Sequence, residues 1–420
     1  MKTKAAILFA TAPVLCAGVT EPVPEPAPEA AAEYWIKPTI DVRARYEYGD
    51  IDGFEDSNAF TIRERVGLMT AEWYGISAFV EGEFTQAAVA DYHGGAPGAR
   101  PFKPSHTVIA DPETNELNQG YIQYAGFDSV LKAGRQRIIL DNAAFVGNVG
   151  WRQNEQTFDA ISLTNKSLDG LALGYSYIDQ VNRIFGSDAD APLVAGPPPF
   201  DNVQDINAEV HLLNASYSGL EGLTLGAYAY LMDFPDKPNW DNNTFGMSAK
   251  SDVYGFTLYG ELAWQDDAGF GNTEDALYAH GSVTKGFAGQ TVTVGVEHLD
   301  AGFKTPLATV HAFNGFADAF IGGRIEGAHN GLTDVYVSHT IPLFWGIKWT
   351  NALHAFGDNE ISNGYGWEYD SVLAKKFDEH FLAIAKLAYF QSEGDPFVGG
   401  AAGAALADTT RFSVELNYSF

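Results

Sequence analysis

Arginines recur in this chain at a spacing that carries chemistry. Arg43 and Arg45, then Arg63 and Arg65, stand two residues apart within stretches that alternate polar and apolar side chains. Residues i and i+2 of a strand share a face, so each pair sets two guanidinium groups side by side. A guanidinium stays ionised and takes a carboxylate or phosphate through two parallel hydrogen bonds. Two such strands in succession read as a cationic ladder able to hold an anion weakly and release it. Glu81 and Glu83 share a face of the next strand, and a three-residue turn at 73–75 would set Arg65 opposite Glu83. Arg135 and Arg137 form a second basic patch, with Arg152 following in the next connection. A plainer role competes: Glu47, Glu81 and Glu83 would neutralise these arginines, and the ladder would only stiffen a wall. The residues by themselves leave both roles open.

The elements that must hold these side chains are strands. From Arg411 to Phe420 the even positions are Phe412, Val414, Leu416, Tyr418 and Phe420, and the odd ones are Arg411, Ser413, Glu415, Asn417 and Ser419. One face is apolar and the other polar over a length of about 9–11 residues, which is what a tilted strand needs to cross a bilayer. A terminal phenylalanine on such a strand resembles the assembly signal of bacterial outer-membrane barrels. Similar alternation occurs at 40–48, 76–85, 256–265, 277–284 and 334–341, whereas 156–164 and 381–390 mix their faces. Eighteen strands are expected, from 36–49 to 408–420, including 76–86, 129–141 and 345–357. An even number returns both ends of the chain to one side. Connections at 74–75, 126–128, 219–222, 286–289, 343–344 and 377–380 are short, while 87–115, 142–155, 186–205, 301–330 and 394–407 are long. Barrels segregate turns and loops in this way. Aromatics gather beside the short turns, at Trp73, Tyr74, Phe127, Phe344, Trp345, Phe377 and Phe381, as an interfacial girdle requires. The expected fold is therefore an all-β, transmembrane, antiparallel up-and-down β-barrel of about 18 strands.

Composition agrees. Of 420 residues, 44 are glycine, 13% are aromatic and only 19% are charged. Outside the N-terminus no apolar run approaches the ~18–20 residues of a spanning helix. Lys2 and Lys4 precede the apolar run 5–15, so 1–18 reads as a signal peptide. The segment 19–33, with Pro22, Pro24, Pro26 and Pro28, reads as a solvated periplasmic leader. The barrel is expected over 34–420. Lys2, Lys4, Glu21, Glu25, Glu29 and Glu33 belong to residues 1–33, so the rest still holds 23 basic against 50 acidic residues. This balance excludes nucleic acid as a partner. Cys16 is the sole cysteine, which excludes a disulfide framework and thiolate zinc.

Gly134-Arg135-Gln136, Phe145-Val146-Gly147, Trp151-Arg152-Gln153 and Thr157-Phe158-Asp159 resemble the core motif of the alginate-export family of outer-membrane barrels. The two Arg-x-Arg strands and the leader are similar too. The resemblance implies passage of an anionic polysaccharide through an arginine-lined constriction. It implies lumen roles for Arg43, Arg45, Arg63, Arg65 and Arg135, with Arg152 and Asp159 nearby. The strong acidity departs from a pore tuned for polyuronate.

The expected function is a passive channel for anionic or polyhydroxylated solutes, in the outer membrane, lined by Arg43, Arg45, Arg63, Arg65, Glu83, Arg135, Arg137, Arg152 and Asp159. Expected partners are outer-membrane lipids, the barrel-assembly machinery, periplasmic chaperones and an anionic oligo- or polysaccharide. No cofactor or metal is expected. Segments 87–115, with Arg100, Lys103 and His106, and 301–330, with Arg324, are the candidates to fold inward. An alternative is a structural or adhesive barrel with a closed lumen, whose acidic loops (Asp50, Asp52, Glu55, Asp56, Asp188, Asp190, Asp266, Asp267, Asp358, Glu360) bind cations or surfaces. A solvated rim is the preferred explanation of those acids, because no fixed calcium-loop spacing appears. An enzyme is not expected: there is no HExxH or GxSxG, and Ser338, His339 and His380 are isolated.

Overall fold

The computed structural model describes residues 35–96, 98–189, 205–268, 274–394 and 406–420. The signal peptide, the leader and most of 186–205 and 394–407 lie outside the described residues. The strands are β1 (Ile36–Ile51), β2 (Ser57–Thr70), β3 (Ile76–Asp91), β4 (Thr114–Gly126), β5 (Ser129–Gln136) and β6 (Thr157–Leu168). They continue as β7 (Leu171–Asn182), β8 (Asp205–Leu220), β9 (Leu223–Asp233), β10 (Asn242–Val253), β11 (Phe256–Ala268) and β12 (Glu274–Phe287). The last are β13 (Gln290–Leu299), β14 (Leu332–Pro342), β15 (Lys348–Gly357), β16 (Gly364–Lys376), β17 (Phe381–Ser392) and β18 (Thr409–Ser419). Each pairs antiparallel with its neighbours in sequence, in one 18-stranded sheet.

The sheet closes on itself. β1 pairs with β2 on one side and with β18 on the other, in register from Asp41 opposite Ser419 to Ile51 opposite Thr409. At the seam Ile40 N donates to Phe420 O at 3.0 Å and Phe420 N to Ile40 O at 2.8 Å. Closure removes the edge strands, whose unpaired backbone groups would otherwise be exposed. The expected alternation sorts as the fold demands. Arg411, Ser413, Glu415 and Asn417 of β18 are buried inside, while Phe412, Val414 and Leu416 are exposed outside. Val66, Val80, Leu262, Val294 and Leu353 continue the exposed band around the barrel, with Leu262 61% exposed. So large an apolar belt has no stable place in water, and a closed sheet is one of two forms that hydrocarbon tolerates.

Several boundaries differ from expectation, and three of them are instructive. β3 continues to Asp91, beyond residue 86. β5 ends at Gln136, short of 141, because the chain then leaves the wall through left-handed Asp141 and Ala143 (φ 51° and 63°). β15 starts at Lys348, since Trp345 has φ 61° and belongs to the turn. The short connections all lie at one end of the barrel. Tyr74-Gly75 and Tyr254-Gly255 have φ of 51° and 85°, and 50° and 74°. Two successive positive values match the I′ turns whose twist suits a hairpin. Glycine takes the second place without penalty. The tyrosines are held in a costlier conformation, with Tyr254 95% exposed, where a ring can lie at a membrane interface.

The interior is not an open bore. The long connections 137–156 and 300–331 pack inside the wall and build an apolar core there. Phe145 lies 5.4 Å from Tyr228, 5.1 Å from Tyr278 and 5.9 Å from Phe303 between ring centroids. Phe320 lies 4.5 Å from Phe356 and 5.7 Å from Phe390. This explains why β17 mixes its faces. Its inward Ala388 and Phe390 belong to this core, so the lumen side is apolar wherever a loop covers it.

Leu262 sits at the middle of an outward row. Leu262→Arg is expected to lower stability in lipid vesicles by about 2–4 kcal/mol, read from the denaturant midpoint of refolding. A change below about 0.5 kcal/mol would mean that this face does not meet hydrocarbon.

Candidate functional site: the arginine ladder and the loops that close on it

The pairing register converts the Arg-x-Arg spacing into a patch. Arg43 lies opposite Arg63 across β1 and β2, and Arg65 opposite Glu83 across β2 and β3. Arg45 lies opposite Glu415 across β1 and β18. All four arginines point inward and are nearly fully buried.

What buries them is the 137–156 connection, which sequence reasoning did not place inside. Arg43 Nη1 donates to the carbonyls of Gly150, Trp151 and Arg152 at 3.0–3.1 Å, and its Nε to Asn417 Oδ1 at 2.8 Å. Arg45 donates to Glu415 Oε2 at 2.7 and 2.9 Å, to Asp111 Oδ2 at 3.1 Å and to the Trp151 carbonyl. Arg65 pairs with Glu83 and lies 3.6 Å from Glu155. Arg63 pairs with Asp41, while its Nε and Nη1 have no hydrogen-bond partner. Arg137 bridges Glu155 at 2.6 Å and Glu81 at 3.1 Å. Arg152 holds Glu47 at 3.1 Å and Asp318 at 2.9 Å. Carboxylates therefore answer Arg45, Arg65, Arg137 and Arg152 and one arm of Arg63, whereas Arg43 has only amide acceptors.

Two expected pore residues are placed elsewhere. Arg135 makes a two-toothed contact with Asp159 at 2.8 and 2.9 Å. Asp159 stands between Phe158 and Ala160, both in the inner core, so alternation turns the pair to the other face of the wall. The motif is a wall clasp there, and not a lining of the lumen. Of the two connections expected to fold inward, 300–331 does so. Segment 87–115 divides: Lys103 and His106 pair with Asp91, and Asp111 reaches the ladder.

The inward connections bind each other as well as the wall. Gly147 N donates to Leu307 O at 2.8 Å, Thr309 N to Ala143 O at 3.0 Å and Val149 N to Thr309 Oγ1 at 3.1 Å. The Trp151 and His311 rings stack at 4.0 Å and 4°. Helix α1 (Ile321–Glu326) carries Arg324, which grips both Glu297 oxygens at 2.9 and 3.0 Å. Gly315, with φ 84°, lets the tip of this loop lie against Glu368, where a Cβ would stand 2.3 Å from carboxyl atoms. Phe316 N and Ala317 N then donate to Asp370 and Glu368 at 3.3 and 2.7 Å.

Asp318 is the electrostatic joint. Burial alone would raise its carboxyl, but His311 and the Arg152 guanidinium hold it well below the usual range. Burial pushes His311 down to about 3 against the pull of Asp318. Its ring is thus neutral and donates Nδ1–H to Asp318 at 2.7 Å. Burial likewise opposes ionisation of Glu155, yet Arg137 and Arg65 keep it well below the ordinary carboxylate range.

Lys386 of β17 is the member of this cluster that sequence reasoning missed. Only 5% exposed, it lies 3.6 Å from the Trp151 ring centroid and 4.6 Å from that of Phe316. Burying an ion costs several kcal/mol, and a desolvated cation–π contact returns about 2 kcal/mol. A lone lysine in a face-mixed strand was the available signal.

No family profile matches the chain, and no curated protein matches it, so the alginate-export resemblance gains no support from these comparisons. Solved structures do match. OpdK of Pseudomonas aeruginosa with vanillate has TM-score 0.64 at 14% identity, over 91% of this chain and 98% of that one. OpdQ of P. aeruginosa has 0.64 at 14%, over 92% and 98%. OccAB3 of Acinetobacter baumannii has 0.64 at 11%, over 92% and 99%. At such identity the likeness shows the fold, a closed 18-strand antiparallel barrel of the outer-membrane porin type.

Loop docking should weaken with acid. His311 is neutral when docked and would take a proton near pH 6.5 when released. Its share of loop stability is complete above that value and is lost as pH falls towards 3, at about 1.4 kcal/mol per pH unit. Asp318 from its own loop, Arg152 from 137–156 and Lys386 from β17 face the ring. Single-protein conductance is expected to show more frequent opening between pH 7 and 5, with a flatter response in His311→Phe. Equal slopes in both proteins would refute the role of His311.

Proposed function

We propose that the protein is an outer-membrane channel through which small anionic solutes pass down their gradient. The observation that carries this reading is the convergence of Arg43, Arg45, Arg63 and Arg65 on one patch of the inner wall. There Arg63 keeps two donors without an acceptor and Arg43 lacks any carboxylate partner. Inward guanidinium groups of this kind offer a carboxylate a site strong enough to enter and weak enough to leave. The structural neighbours are porins, and one of them is named with vanillate, a carboxylate. An alginate-like polysaccharide, which the sequence resemblance suggests, would need both inward loops withdrawn together. The packed interior favours a smaller solute.

In this reading the exposed apolar band meets outer-membrane lipid, and β18, with its strict alternation, is the segment that the assembly machinery and periplasmic chaperones would recognise. Arg43→Gln with Arg63→Gln is expected to reduce anion-over-cation permeability several-fold in planar bilayers. Reversal potentials in a salt gradient measure this, and an unchanged ratio would remove the ladder from selectivity.

One observation favours the second reading, a structural barrel with a closed lumen. Arg45, Arg63, Arg65, Arg137 and Arg152 all have carboxylate partners, and the inward loops pack directly over the ladder. Deleting 142–155 separates the readings. Current in the intact protein that rises after deletion supports a channel; no current until deletion supports the closed barrel.

A further inference from the structure

Glu64 is a charge that the barrel turns towards hydrocarbon. It stands midway along β2, between Ile62 and Val66 in the outward row, and is exposed. Its cross-strand neighbours are Val42 on β1 and Phe84 on β3, both outward and apolar. Among the described residues its carboxylate has no hydrogen bond and no ion pair. A charge at the middle of a bilayer is expensive, and such groups in membrane proteins meet a partner. Lipid headgroups lie about 15 Å away, so the partner is another protein surface.

The chain carries the complementary group on the same band. Arg135 lies outward on β5, opposite Gly120 of β4. It gives Nε and Nη2 to Asp159 and Nη1 to the Leu117 carbonyl at 3.2 Å. A guanidinium has five N–H donors, so two remain for a further carboxylate. Position agrees with charge. Register sets Glu64 level with Asn115 on β4, and Gly120 lies nearer the short turns. Strands tilted about 40° climb across three neighbours about as far as this step descends. The two groups therefore share one depth. Three strands out of eighteen separate them, so they face directions about 60° apart. A head-to-tail contact between faces at about that angle closes into a ring of three.

We propose that the outer face of β2–β5 joins copies of this chain into a trimer, in which Glu64 of each barrel meets Arg135 of the next. Asp159 holds Arg135 from its own wall, and the contact takes Glu64 out of lipid. Between the two groups the face carries Gly82 and Gly120, small residues that let two walls approach closely. The inference needs only a lipid-facing band, and it goes beyond the channel reading because it holds whether or not the lumen conducts.

The test is disulfide trapping of the full-length protein in lipid vesicles, with its single cysteine, Cys16, changed to serine. Val66 and Ala133 lie beside Glu64 and Arg135 in the same outward rows, so both charges stay intact. Val66→Cys with Ala133→Cys is expected to give cross-linked trimers on oxidation or with a short bismaleimide. Neither single variant should cross-link. Light scattering in mild detergent should give the mass of three chains for the unmodified protein. Glu64→Leu should raise the concentration at which the trimer dissociates by about tenfold or more, although leucine suits lipid better than glutamate. A retained heat-modifiable gel shift confirms that the variant barrel is folded. A monomeric mass, no trapped trimer in the double variant, dimers from Val66→Cys alone, or unchanged dissociation in folded Glu64→Leu overturns the proposal.

Discussion

A backbone in hydrocarbon has no water to complete its hydrogen bonds, so each strand must find a partner on both sides. Closure at the β1–β18 seam meets this requirement, and much else follows from it. Once the sheet is a cylinder, period two divides every strand into an outer and an inner face. The outer face is then fixed as apolar. The inner face is wide enough to be wet, or to be filled from the loop end.

Filling from the loop end changes the chemistry of the wall. In an open bore the four arginines would be solvated and their attraction to neighbouring acids screened. With 137–156 laid over them they lose water and must be satisfied by the protein. Carboxylates from β3, β18 and the loops answer most of them, and main-chain carbonyls answer Arg43. Unpaired buried polar groups are costly, and among the described residues they remain on Arg63 and also on Glu83, Asn154, Arg324 and Glu368. Asp318 ties the two inward loops together, because one carboxylate holds Arg152 of one loop and His311 of the other.

Much of the barrel was legible in the sequence because the outer face has a single solvent and a strict period. The terminal strand 411–420 showed this most plainly; Arg65 does stand opposite Glu83, though through the two-residue turn Tyr74-Gly75 with one extra residue before it and not through the expected three-residue turn. Legibility failed where the period failed. Asp159 was read as pore-lining from a motif, yet its neighbours Phe158 and Ala160 face the core and turn it away. The face-mixing of β17 looked like noise and was the imprint of a loop packed inside.

The sequence by itself determined the closed, lipid-facing cylinder, its strand number and the presence of cationic pairs on β1 and β2, because these depend on local alternation and turn length. Only the tertiary structure decided which arginines are neutralised, that 137–156 covers them, and that Lys386 meets Trp151 and Phe316. Those contacts join residues far apart in the chain through loops without a period. Their positions follow from packing inside the finished barrel, and no local pattern in the chain encodes that.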